Sequence, residues 1–124
     1  MDLRWRQPTD GILSSAEDLV KLGETFLSSD YLSEETRENL FTPATLTNNQ
    51  KTQFANGWVL LTDNKGNTLY GREGSVVGGC ASIIIAPKEQ LVIAITTNLT
   101  QENSNTPILK ILDLFMIQNE EPAD

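Results

Sequence analysis

The sequence predicts an α+β fold of the α/β-sandwich type: an antiparallel sheet of about four strands flanked by helices. Three observations predict it. Helical periodicity fills residues 15–41, hydrophobic patterning turns extended between 57 and 97, and one further apolar helix follows. The order is helix, helix, sheet, helix, and 124 residues suffice for a single domain over 1–124.

Each element has a local reason. Residues 1–11 are polar, with Pro8 and Gly11, and read as a leading segment. Ser14-Ser15-Ala16-Glu17 is a capping-box pattern in which the Ser14 hydroxyl takes an early helix N–H and Glu17 reaches back. Ala16, Leu19, Val20, Gly23, Phe26 and Leu27 follow at helical spacing, with Asp18, Lys21 and Glu24 on the other side. A helix over about 15–28 results. Ser33 caps a second helix over 33–41, with Glu34 and Glu35 in its first turn favouring the dipole. Pro43 disfavours helical geometry at Thr42 and ends it.

Residues 43–53 are loop-like, and strands are expected over about 57–62, 68–74, 80–86 and 91–97. Asp63-Asn64-Lys65-Gly66-Asn67 is a hairpin turn, with Gly66 free to take positive φ. The runs 80–86 and 91–97 are nearly continuously apolar, which predicts a central sheet position covered on both faces. Thr106 caps a last helix, 107–118, with Pro107 in its first turn. It carries apolar residues almost all round, which predicts burial on more than one side.

Composition removes several function classes. The formal net charge is −8, and Lys and Arg nowhere cluster beyond Arg4 and Arg6, so no nucleic-acid partner is expected. With no histidine and one cysteine, Cys80, the usual zinc ligand sets cannot form, and neither metal nor cofactor is expected. The runs Ile83–Ala86 and Leu91–Ile95 are too short to span a bilayer, and Met1–Trp5 has no signal-peptide core. A lone cysteine cannot form an internal disulfide, so the compartment is not legible from it.

Several short stretches, in order, carry a family likeness. Gly11-Ile12-Leu13-Ser14-Ser15-Ala16-Glu17-Asp18-Leu19 is similar to the "GGLxSTAxDL" segment of serine β-lactamase-like proteins, a group that includes class C β-lactamases, D-Ala-D-Ala peptidases and related esterases. Leu32-Ser33-Glu34-Glu35-Thr36, with Phe41-Thr42-Pro43, resembles the "LLSxETxxxMxTP" stretch. Asn56-Gly57-Trp58 resembles "YGLGW", and Tyr70-Gly71-Arg72-Glu73-Gly74-Ser75-Val76-Val77-Gly78-Gly79 resembles "YGHEGSxPGF". Ile84–Asn98 resembles the closing hairpin "xxxxPxxxLxVxxLTN". The matches cover about residues 11–99. They imply the C-terminal part of a β-lactamase/transpeptidase-like fold, and a parent protein that is periplasmic or extracellular.

The resemblance also implies a chemistry. In such proteins a Ser, activated by a Lys three residues later, attacks an acyl carbonyl while a Tyr assists proton transfer. A third motif, Lys or His then any residue then Gly, lines the cleft, and the next backbone N–H forms part of the oxyanion hole. Carried over, the third motif falls on Arg72, Glu73 and Gly74, and the oxyanion amide on Ser75. Arg72 stands where Lys or His is usual. It keeps a positive charge that can hold a substrate carboxylate bidentately, but it cannot serve as a neutral proton carrier.

The other two motifs are missing from the sequence. The residues three before Lys21, Lys51, Lys65, Lys88 and Lys110 are Asp18, Asn48, Thr62, Ile85 and Pro107, none of them Ser. Tyr31 leads to Ser33 and Tyr70 to Arg72, so Tyr-x-Asn fails as well. Without histidine a Ser-His-Asp triad is impossible. No complete catalytic set exists in this chain. The expectation is a C-terminal portion of a hydrolase acting on a β-lactam, a D-Ala-D-Ala peptide or an ester, inactive alone, whose parent takes a small-molecule or peptide acyl substrate. The alternative is a non-catalytic module that uses the same sheet for ligand binding or self-association.

Other residues have plainer readings. Ser75 lacks a general base and is not expected to be a nucleophile. Cys80 leads into an apolar strand and reads as a small buried residue. Asn98-Leu99-Thr100 fits a glycosylation pattern that is set aside as noise, and Glu120-Glu121 reads as a solvated end. In the family fold, N-terminal elements cover this sheet and its last helix. Their absence predicts a homo-oligomer formed through an exposed sheet edge or helix 107–118.

Overall fold

The computed structural model describes residues 11–28, 30–100 and 107–118, with side chains described as far as Met116. The fold is α+β, and the described residues form three helices and a four-stranded antiparallel sheet. Helices α1 (Ala16–Leu27) and α2 (Glu34–Phe41) precede strands β1 (Val59–Thr62), β2 (Thr68–Val76), β3 (Gly79–Ala86) and β4 (Leu91–Thr97), and helix α3 (Ile108–Gln118) follows. The strands lie in sequence order β1-β2-β3-β4, each antiparallel to the next.

The helix starts follow cap chemistry. The α1 cap is Ser15, not Ser14: its hydroxyl accepts from the Asp18 amide at 3.1 Å and donates to the Asp18 carboxylate at 3.0 Å. The cap is therefore shifted by one residue, and Asp18, bonded to the Ser15 hydroxyl, is the side chain that reaches back in place of Glu17. Glu17 instead reaches Lys21 at 2.8 Å. Ser33 caps α2 as expected, accepting from the Thr36 amide at 3.2 Å. The Thr106 cap lies outside the described residues. The Pro107 carbonyl accepts the first α3 bond, from the Ile111 amide at 3.0 Å.

Turn chemistry sets the strand ends. Strand β1 begins at Val59 and not at 57, because Gly57 takes a φ of 91° that no strand residue adopts. In the β1–β2 turn Gly66 has φ 83°, and Asp63 Oδ1 accepts from the Lys65 and Asn67 amides at 2.8 and 2.7 Å. Strands β2 and β3 extend to Val76 and Gly79, joined by Val77 and Gly78 alone.

Two helical layers sandwich the sheet. On one face α3 buries Ile108, Leu112 and Met116 against Leu69, Ile84, Ala86 and Ile93. On the other, α1 and α2 pack Leu19, Phe26, Leu27, Leu40 and Phe41 against Trp58, Ile83, Ile85 and Tyr70. Gly23 lets α1 approach β4: a Cβ there would lie 2.5 Å from a Val92 methyl carbon.

Two expectations need correction. Among the described residues strand β4 does not occupy a central position; it bounds the sheet, with β2 and β3 interior. Its apolar pattern arises because helices cover both its faces, a condition that side-chain sequence does not distinguish from an interior place. Nor is α3 buried on more than one side among the described residues. Ile108, Leu112 and Met116 form one buried stripe, while Leu109, Leu114 and Phe115 are 43, 63 and 50% exposed.

Candidate functional site

The stretch Arg72-Glu73-Gly74-Ser75 lies in the second half of β2, where the strand has one neighbour. Strand β1 pairs with β2 only from Thr68 to Gly71, and Val59, opposite Gly71, is its first residue. Strand β3 runs alongside β2 all the way from Tyr70↔Ile85 to Val76↔Gly79. The margin from Arg72 to Val76 that faces away from β3 therefore carries no strand among the described residues.

The register fixes which backbone groups face that margin. In an antiparallel ladder, directly opposed residues alternate between pairs that exchange two hydrogen bonds and pairs that exchange none. The two-residue loop Val77-Gly78 makes Val76↔Gly79 a bonded pair. Gly74↔Ala81 and Arg72↔Ile83 are then bonded too, while Ser75↔Cys80 and Glu73↔Ser82 are not. The amides of Glu73 and Ser75 point away from β3. The first half of β2 agrees: the Asp63 amide donates to the Asn67 carbonyl at 3.0 Å, which turns the Leu69 and Gly71 amides toward β1.

The side chains alternate between faces. Leu69 belongs to the aliphatic layer under α3 and Tyr70 to the aromatic layer under α1 and α2. Arg72 and Gly74 follow Tyr70, while Glu73 and Ser75 follow Leu69. Arg72, Gly74 and Ser75 are exposed and Glu73 is half-buried. Arg72 forms no ion pair among the described residues. Glu73 lies across from buried Ser82, and a recess of about 270 Å³ beside them is lined by Gly71, Arg72, Ile108 and Leu109.

The hairpin tip is held from a distance. Gly78 takes a φ of 86°, and its amide donates to the Thr100 hydroxyl at 2.8 Å. Cys80 is buried, and its Sγ lies 3.6 Å from the Leu99 carbonyl. The segment just after β4 thus clasps the tip beside Ser75. In the sequence Thr100 stands out only as part of the Asn98-Leu99-Thr100 glycosylation pattern. Its place becomes visible only when β4 brings it back to the tip.

Tyr70, two residues before Arg72, faces the aromatic layer and stacks on Phe41, with ring centroids 4.0 Å apart and planes at 19°. Burial raises the pKa of its phenol above the ordinary value. Among the described residues no group of His, Cys, Asp and Glu could hold a metal ion, and no helix is long and apolar enough to cross a membrane.

Neither a curated protein nor a solved structure matches the chain. The family model for Beta-lactamase matches residues 1–115, a span that includes β2, the tip and most of α3. A match of that extent, over an α+β sandwich with the Arg-Glu-Gly strand at an open margin, shows that the chain belongs to the beta-lactamase family.

Proposed function

We propose that this chain forms one wall of an acyl-transfer site and part of its oxyanion hole, within a serine hydrolase acting on a β-lactam, a D-Ala-D-Ala peptide or an ester. The outward direction of the Ser75 amide carries the reading. An amide already spent on a ladder bond could not meet a developing oxyanion, whereas one facing an uncovered margin can. Arg72, exposed on the same strand, supplies a fixed positive charge for a substrate carboxylate. The nucleophile and its base come from Ser-x-x-Lys and Tyr-x-Asn segments outside these residues, and the chain alone is inactive.

Two measurements test this. A chromogenic β-lactam or ester should give neither burst nor turnover with this chain, and covalent acylation at Ser75 would overturn the proposal. The upstream reading frame should encode Ser-x-x-Lys and Tyr-x-Asn. A frame without them would leave a non-catalytic member of the family.

We also propose that the isolated chain self-associates. Strand β4 is a seven-residue edge, LVIAITT, with no charge and no proline, and the outer side of α3 exposes Leu109, Leu114 and Phe115. Edges without such guards pair with other strands. Sedimentation should show mass rising with concentration, and a monomer at high concentration would refute the idea.

A further inference from the structure

A second concavity lies on the α1/α2 face, toward the 87–90 turn and away from the hairpin tip. Its volume is about 630 Å³, and Phe26, Phe41, Tyr70, Pro43, Pro87 and Arg37 line it. Pockets for small organic ligands span roughly 300–1,000 Å³ and pair apolar walls with a few placed polar groups. Here three aromatic rings come from three different elements. Phe26 meets Phe41 edge-on at 6.1 Å, and Phe41 stacks on Tyr70. The turn wall is fixed too: Gln90 holds a φ of 52°, and its Nε2 donates to the Pro87 carbonyl at 2.7 Å.

The polar element is Arg37. Its Nη1 donates to the Leu27 carbonyl at 3.2 Å, which ties the half-buried guanidinium to the end of α1. A guanidinium has five N–H donors, so most remain for a ligand. Glu38 also borders the opening. One cation with one nearby carboxylate favours a single negative charge over a double one.

We propose that this recess binds a small aromatic monocarboxylate, its ring among Phe26, Phe41 and Tyr70 and its carboxylate on Arg37. The site shares no residue with the Arg72–Ser75 margin, and it stands or falls independently of the acyl-transfer reading.

The test is an NMR titration of the full 124-residue chain with 3-phenylpropionate, 3-phenylpropan-1-ol and phenyl phosphate. The acid should give saturable shifts at the Arg37 Nε–H and at the indole N–H of Trp58, whose ring lies 5.7 Å from Phe41. A charge-assisted hydrogen bond predicts that the acid binds about tenfold tighter than the alcohol, with the dianionic phosphate weaker than the acid. Arg37→Gln should bring the acid down to the alcohol's affinity and leave the alcohol unchanged. Equal binding of acid and alcohol by the unaltered chain would overturn the proposal, whether or not the variant folds. So would shifts that fail to saturate in the millimolar range, or that centre on Arg72.

Discussion

The two halves of β2 share one strand but live in different surroundings. Thr68–Gly71 runs between β1 and β3, and its Leu69 is fully buried. Arg72–Val76 runs beside β3 alone, and four of its five residues are exposed. The first half anchors, and the second presents backbone at an uncovered margin. What separates them is the length of β1, which begins at Val59 because the chain bends at Asn56 and Gly57 just before it. A site on a strand half-anchored in this way gains positional precision without being sealed.

Substitutions can sharpen or break that contrast. The largest effect is expected at Leu69, where Leu69→Ala should cost about 3 kcal/mol in denaturant unfolding, while Ser75→Ala stays within about 0.5 kcal/mol. Similar costs at both positions would abolish the distinction. Next, Gly74→Pro removes a ladder donor and should destabilise by about 2 kcal/mol, whereas Ser75→Pro, one residue on, should cost markedly less because its amide is unspent. The reverse order would show that the register places the Ser75 amide against β3. A smaller effect separates the two candidate caps: Ser15→Ala should lose about 1 kcal/mol and Ser14→Ala almost nothing.

The smallest effect concerns pH, at the turn that closes the anchored half. Desolvation, the largest single influence on Asp63, raises its pKa. Hydrogen bonds from the Asn67 side chain and from the Asn67 and Lys65 amides, with the charge of Lys88, outweigh it and hold the pKa below the ordinary 3.8. A lowered folded-state pKa means that the carboxylate's contribution is in place above 3.8 and is lost as pH falls through the folded value. Acid titration of Asp63→Asn should therefore show a flatter loss of stability below about pH 4 than the unaltered chain shows.

Much of the fold was legible because its signals are local. The β-branched runs, the Asp63–Gly66 turn and the Ser33 cap each reside in a few neighbouring residues. What escaped depends on distant partners. Whether β4 is interior or a boundary is decided by backbone pairing, which leaves no side-chain signature when both faces are covered. The nearly uniform apolar run of α3 could not tell which stripe would be buried, and only the sheet selects Ile108, Leu112 and Met116. At the candidate site, Arg72–Ser75 stood out through family likeness alone, since an Arg-Glu-Gly run is otherwise an ordinary surface strand. The aromatic recess draws its walls from four separate segments and had no sequence signal at all.

The clasp between Gly78 and Thr100 joins positions 22 residues apart. The inclination of the tip, and with it the aim of the neighbouring amide, is thereby governed by where the polypeptide leaves its last strand. A change at residue 100 that preserves every side chain on β2 can still shift the tip, so variation downstream of the sheet acts on the β2 margin from a distance.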